Sequence, residues 1–303
     1  MSILLFGSNN PSGAAFLKLC SEHALEIWGR NCPEGFREKY VYCDLTLLPS
    51  KKIKMMNGIL VSFAPIWLLA SFIEHLYKFQ PEMLKELKGV IACSSSSFIT
   101  KRFAFNDHDK MLSKKLSWAN DVITNICKLL EIPSQILAPT LIYGESGGYT
   151  DKNLSKIIQL LRLLPFIILP KETGLRQPIH AMQLASVAAQ QSGRMLSSCW
   201  NFNEPEILIL GGDSNITYEA MIQRIKDKLV STDKARKCRI VIIPNTLFFF
   251  FVALVLPFNP KLFEAIMRIK SDLSGFTETH NILCEAAQEF PVLPLATGSY
   301  FRN

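Results

Sequence analysis

Near the N-terminus the apolar run Ile3 to Phe6 ends in Gly7, and the next glycine of the stretch is Gly13, with Ser8-Asn9-Asn10-Pro11-Ser12 between them. An apolar-periodic run then begins at Ala14. Strand, tight turn and helix in that order suit a phosphate. Gly7 permits the turn, Gly13 lets helix and strand backbones close on each other, and the helix start aims free N–H groups and its positive dipole end at an anion. Asn10 stands where a Gly-x-x-Gly-x-x-Gly loop has its middle glycine. Asparagine tolerates left-handed backbone angles better than other non-glycine residues, so the turn is expected to survive with Asn10. The spacing alone also fits an ordinary strand–helix turn.

Further polar or small residues recur where strands are expected to stop. Arg30 follows the second apolar run, Asp44 and Leu45 the third, and Phe63-Ala64-Pro65 the fourth. In an open α/β sheet the carboxyl ends of the strands are where ligands sit. An acidic residue after the second strand would bind a ribose 2′-hydroxyl; Arg30 suits a 2′-phosphate instead, which favours NADP over NAD.

The elements that would position these residues follow from periodicity. Strands are predicted over Ile3–Phe6, Ala24–Trp28, Lys39–Cys43, Gly58–Phe63, Val90–Cys93 and Ile136–Tyr143, with helices from Ala14 to about Cys20 and over Ile66–Lys88 and Lys110–Leu130. Past Gly144 the predicted helices are Asn153–Leu164, His180–Gln191 and Tyr218–Leu229, and the strands Phe166–Leu169, Ile207–Leu210 and Arg239–Ile243. Alternating short strands and helices imply an α/β fold, a Rossmann-like doubly wound parallel sheet covered on both faces. Residues 1–150 would form the nucleotide-binding domain and 151–303 a smaller C-terminal substrate lobe, partly interleaved with it.

Composition fits this class. About half of the 303 residues are hydrophobic (49%) and 19% are charged, enough to build a large core. The net charge of +7 is dispersed in small clusters (Lys51, Lys52 and Lys54; Lys110, Lys114 and Lys115; Lys234, Arg236, Lys237 and Arg239) with no nucleic-acid motif, so no nucleic-acid partner is expected. The eight cysteines form no C-x-x-C pair and sit in apolar stretches, and no metal site is expected. They read as reduced thiols, and the N-terminus lacks a signal-peptide pattern; both point to the cytoplasm. Thr246 to Phe258 is almost wholly apolar and includes Phe248 to Phe251. It is too short to span a bilayer, which needs roughly 20 residues. A buried helix is the expectation, and contact with a membrane surface or another protein through Phe248–Phe251 is the alternative.

Several segments in series carry a family resemblance: Ile3 to Gly13, Cys43-Asp44-Leu45, Val61-Ser62-Phe63-Ala64-Pro65, Ala138-Pro139-Thr140-Leu141-Ile142-Tyr143-Gly144, Leu175-Arg176-Gln177-Pro178-Ile179-His180, and Gly211-Gly212 with Thr217-Tyr218-x-x-Met221-Ile222. In this order they resemble the extended short-chain dehydrogenases/reductases of the NAD-dependent epimerase/dehydratase group. The resemblance implies an NADP or NAD cofactor held by Gly7, Asn9, Asn10, Gly13, Arg30, Asp44, Leu45, Phe63, Ala64, Pro65 and Pro139. It places Asp44 at the adenine and Ala64 and Pro65 by the ribose. It makes Arg176 a contact to the phosphate of a nucleotide-sugar substrate, the alternative being a structural Arg that satisfies loop carbonyls.

The superfamily's usual chemistry joins a Ser/Thr to a Tyr-x-x-x-Lys pair, in which Lys lowers the Tyr pKa for proton transfer. Ser94 to Ser97 stand where that Ser/Thr belongs, with Ser96 first and Ser95 second. No Tyr occurs between Phe98 and Leu130; alignment puts Leu112 and Leu116 at the Tyr and Lys positions, and Arg is replaced by Ala138 before the proline. The expectation is therefore an atypical NAD(P)-dependent epimerase, dehydratase or reductase acting on a nucleotide sugar or related small molecule. The other reading is a non-catalytic NAD(P)-binding assembly or regulatory subunit.

Overall fold

The computed structural model describes residues 2–295 apart from 22–23, 50–51, 198, 202–203, 255–257 and 259. Lys51 and part of the 246–258 segment thus lie outside the described residues. The apolar runs of the N-terminal half become six parallel strands: β1 (Ile3–Phe6), β2 (Leu25–Gly29), β3 (Tyr40–Tyr42), β4 (Gly58–Ser62), β5 (Leu87–Cys93) and β6 (Ser134–Pro139). Helices α1 (Pro11–Leu19), α2 (Ile66–Phe79), α3 (Ser97–Thr100) and α4 (Asp107–Leu129) connect them.

The rest of the chain contributes the short strands β7 (Ile142–Tyr143), β8 (Glu145–Ser146), β9 (Tyr149–Thr150), β10 (Phe166–Pro170), β11 (Leu175–Arg176) and β12 (Ile179–His180). Beyond them come β13 (Ile207–Gly211), β14 (Ile216–Thr217), β15 (Arg239–Ile243) and β16 (Thr277–Glu278). Its helices are α5 (Leu154–Leu163), α6 (Ala181–Leu196), α7 (Tyr218–Lys228), α8 (Asn245–Ala253), α9 (Pro260–Met267) and α10 (Thr279–Leu283).

The large sheet runs β16-β13-β6-β5-β4-β1-β2-β3, so β13 and β16, from beyond residue 151, extend the sheet that the first half begins. The chain starts in the middle at β1, winds outward to β3, then returns to β4 and winds the other way. That reversal puts the sheet's switch point between β1 and β4. Both faces of the sheet are buried, which is why the strands read as continuous apolar runs rather than as alternating ones. Leu4, Phe6 and Leu60 pack with α2 and α4 through Leu69, Phe72, Leu116 and Ile123. Ile3, Leu5 and Val61 pack with α1 and α6 through Phe16, Leu184 and Val187. Each such side chain contributes about 1.5–3 kcal/mol of hydrophobic stabilisation.

Three expectations need correction. The helix predicted over Ile66–Lys88 stops at Phe79, because Pro81 disfavours helical angles at Gln80; a 3-10 turn over Pro81–Leu84 follows, and β5 starts at Leu87. The strand predicted over Ile136–Tyr143 breaks after Pro139. Thr140 N–H still reaches Leu210 O (2.9 Å), but Ile142 and Tyr143 leave the sheet to pair with β12. The third concerns α8. Within it only Phe248 and Val252 are buried, while Phe250 and Phe251 are exposed, so the expected buried helix is half uncovered. Among the described residues, no helix is long and apolar enough to cross a membrane.

Candidate functional site

Because β1 to β6 are all parallel, the residues that follow them meet at one edge. Gly7 has φ of 76°, and a Cβ there would lie 2.4 Å from Ala64 N and 2.6 Å from Phe63 C. A Cβ on Gly13 would lie 2.0 Å from Gly7 O. The turn after β1 thus closes backbone on backbone against the end of β4, a cradle that any larger residue would fill. Asn10 does not adopt the left-handed conformation expected of it. Its φ of −149° is extended, and it caps α1, with Oδ1 accepting Gly13 N–H at 3.0 Å. Its Nδ2 donates to Gly7 O at 2.7 Å and to Phe63 O at 3.1 Å.

This arrangement thins the anion-binding end of α1. Pro11 carries no N–H, Asn10 takes the Gly13 and Ala14 N–H groups, and Ser12 N–H is the remaining first-turn donor. Asn9 is exposed and accepts the Tyr149 hydroxyl at 3.1 Å, which brings the β8–β9 hairpin onto the turn. Gly147 sits at the hairpin's tip so close to α1 that a Cβ there would lie 2.8 Å from Ala14 Cβ. Tyr149 had no sequence signal as a site residue, since its partner lies 140 residues away.

On the other side of β1, Arg30 is exposed beyond β2 and makes no hydrogen bond or ion pair among the described residues. Asp44 Oδ1 accepts Thr46 N–H at 2.9 Å and Thr46 Oγ1–H at 2.7 Å, which leaves Oδ2 without a partner among the described residues. The two Thr46 bonds, helped by the charge of Arg30, hold the Asp44 carboxyl below its ordinary range. Leu45 packs against the core below. Asp44 also borders a cleft of about 480 Å³ walled by Trp28, Cys43, Pro49, Lys54 and Phe72, residues from separate segments that no motif groups. Phe63 is buried against Phe16, Ala64 is partly exposed, and Pro65 is exposed as the cap of α2.

The serine run divides its roles. Ser94 Oγ–H donates to Asn120 Oδ1 at 2.8 Å, and Ser95 Oγ accepts Ser97 N–H at 3.2 Å. Ser96 starts α3, its N–H donates to Pro139 O at 2.9 Å, and its hydroxyl has no partner among the described residues. Pro139 and Ser96 therefore adjoin at the ends of β6 and β5. On α4, Leu116 is buried and Leu112 packs against the same core. Lys114 and Lys115 are exposed, the latter over the Trp67 ring. Lys101 is held by Asp109 at 2.8 Å. Burial alone would raise the Asp109 carboxyl; hydrogen bonds from Lys101, Asn106 and Arg268 outweigh it and hold the carboxyl well below the usual range.

Arg176 is buried, and its guanidinium donates to the carbonyl oxygens of Leu175, Ser271 and Arg268 while lying over the Tyr218 ring. These bonds tie β11 to the 268–271 segment. Burial pulls its pKa down, against the opposing charges of Tyr218 and Asp272. His180 is likewise internal: Nδ1 accepts Met182 N–H at 3.2 Å to cap α6, and Nε2 faces Pro294 O at 3.2 Å.

No family model and no curated protein matches the sequence. Solved structures do match its fold. UDP-glucuronic acid 4-epimerase from Bacillus cereus, in complex with NAD, is 11% identical with a TM-score of 0.55 over 81% of this chain and 90% of that one. Gre2 from Candida albicans, in complex with NADPH, is 10% identical with a TM-score of 0.59 over 96% and 95%. A GDP-mannoheptose C4 reductase from Campylobacter jejuni with NADP bound is 10% identical with a TM-score of 0.52 over 80% and 87%. The chain shares the fold of these epimerases and reductases.

On α4, where the sequence resemblance would place a Tyr-x-x-x-Lys pair, the side chains at those places are apolar. The places aligned with Tyr and Lys hold Leu112 and Leu116, whose side chains belong to the core between α4 and the sheet. Of the hydroxyls at the ends of β5 and β6, those of Ser94, Ser95 and Thr140 are engaged, and that of Ser96, beside Pro139, has no partner among the described residues.

Proposed function

We propose that the chain binds a nicotinamide dinucleotide along the carboxyl edge of its sheet and acts as an atypical NAD(P)-dependent epimerase, dehydratase or reductase on a nucleotide sugar or related small molecule. The observation that carries the proposal is the turn at Gly7 and Gly13, whose close backbone approach to Phe63 and Ala64 forms a cradle at the sheet's switch point. Ser12 N–H and the α1 dipole would meet the pyrophosphate, Asp44 Oδ2 the adenine, and Arg30 the adenine ribose, where its unpaired guanidinium favours a 2′-phosphate. The cofactor would supply hydride transfer. Ser96 would donate a hydrogen bond to the substrate oxygen, and the proton would come from a group other than a Tyr on α4.

Calorimetric titration with NADPH and NADH tests the cofactor half. Binding of NADPH ahead of NADH is expected, and Arg30→Ala should remove the preference; no binding of either would refute the reading. Cofactor turnover and product analysis across nucleotide sugars and small carbonyl compounds test the chemistry. The second reading, a cofactor-binding subunit without turnover, is favoured by one observation: Leu112 and Leu116 are packed into the core, so no proton relay can form there. Cofactor binding without turnover on any substrate would select it.

A further inference from the structure

Helix α8 carries two apolar faces and covers only one. Phe248 and Val252, four residues apart, point inward and are buried. Leu247, Phe250, Phe251 and the capping Leu254 follow the i, i+3, i+4, i+7 spacing of a single stripe, and they are 45%, 62%, 54% and 58% exposed. An outward stripe with two phenylalanines has a large hydrophobic driving force, and the described residues leave it uncovered.

The sequence segment that carries this stripe has charge of one sign. From Lys234 to Phe263 the sequence holds five basic residues (Lys234, Arg236, Lys237, Arg239 and Lys261) and no acidic one. The first four are exposed. Arg239 and Val241 are both exposed and two residues apart on β15, so cation and apolar side chain share a strand face. At the base of α8, Lys171 N–H bonds Ile243 O at 2.9 Å, and Lys270 Nζ lies 5.7 Å from the Phe249 ring centroid. The acid there is Glu172, already engaged by Asn245 Nδ2 at 2.9 Å and by Lys270 at 3.8 Å.

We infer that α8 is a peripheral membrane anchor that lies in the headgroup region of an anionic bilayer, with Phe250 and Phe251 inserted and the 234–239 cations on the lipid charge. A helix of nine residues is too short to span but long enough to lie in the interface plane. Charge selects this occupant over a second copy of the chain. A two-fold contact through α8 would bring two acid-free cationic segments together, whereas anionic headgroups neutralise them.

Flotation of the full chain with vesicles tests the inference, using phosphatidylcholine alone and phosphatidylcholine mixed with phosphatidylserine. The protein should float with the mixed vesicles at least about ten-fold more than with neutral ones, and high salt should release it. Phe250→Ser with Phe251→Ser should lower binding at least about ten-fold, since two inserted aromatic side chains are lost; Lys234→Glu with Lys237→Glu should lower it through charge alone. Circular dichroism confirms that both variants are folded. Equal flotation with neutral vesicles, or none with either, would overturn the inference. So would a dimer in sedimentation velocity that the Phe variant converts to monomer without any vesicle binding, because a second copy would then cover α8.

Discussion

Asn10 Nδ2 and the carbonyl oxygen of Phe63 are 3.1 Å apart, a hydrogen bond that ties the turn after β1 to the end of β4 across 53 residues of chain. The same amide group holds Gly7 O, and the same side chain caps α1. One residue therefore sets the shape of the cradle, the start of the helix and the number of N–H groups left for a phosphate.

Replacing Asn10 by Ala removes the cap and both ties. A loss of about 1–2 kcal/mol is expected from the cap, read as a lower urea midpoint with an unchanged slope. Asn10→Asp should keep the cap, yet set a carboxylate against two carbonyl oxygens and beside an anion site. Its dinucleotide affinity should fall below that of Asn10→Ala; the reverse order would show that the pyrophosphate does not lie there.

Gly13→Val places a Cβ 2.0 Å from Gly7 O, a backbone atom with little room to yield. Overpacking of this kind costs about 1–3 kcal/mol. The variant should remain folded by circular dichroism while added NADPH no longer raises its Tm. Normal ligand-induced stabilisation would separate the turn from the cofactor site.

Arg176→Ala leaves the Leu175, Ser271 and Arg268 carbonyls without their shared donor. Stability should drop by on the order of 3 kcal/mol, as for a buried charged hydrogen-bonding group, with dinucleotide affinity unchanged. A variant with wild-type unfolding and weaker substrate binding would return Arg176 to the substrate site.

Burial lowers the His180 pKa below the ordinary 6.5. The sign follows from linkage: above about pH 6.5 the ring is neutral in folded and unfolded chains, and its contribution is complete. As pH falls below that value the unfolded chain takes up the proton first, and stability is lost towards the folded pKa. Protonation would also remove the Nδ1 acceptor that caps α6. Urea unfolding between pH 7.5 and 5 should therefore show a decline that is shallower in His180→Asn; parallel curves would mean that other groups carry the dependence.

If turnover is found, Ser96→Ala should reduce it about 10²–10³-fold, the usual cost of one donor to a developing oxyanion, with cofactor affinity kept. Ser95→Ala should cost less, because that hydroxyl already accepts Ser97 N–H. Equal effects, or turnover that survives both changes, would take the serine run out of the mechanism.

Local patterns decided what was legible beforehand. β1, Gly7, Gly13 and the α1 start are consecutive, so their order and φ requirements were readable without the rest of the chain, and alternating apolar runs carried the parallel sheet and the edge at which Arg30, Asp44, Ala64 and Ser96 collect. Asn10 was read by backbone preference alone, since its decisive partner, Phe63 O, is set by the pairing of β4 with β1. Arg176 read equally as an anion ligand or as a structural Arg, because its carbonyl partners at Arg268 and Ser271 are brought to it only by the returning C-terminal segment. The hydrophobicity of α8 was plain in Phe248 to Phe251. Whether a phenylalanine faces core or solvent depends on what tertiary packing sets against it, and here packing covers Phe248 and leaves Phe250 and Phe251 uncovered.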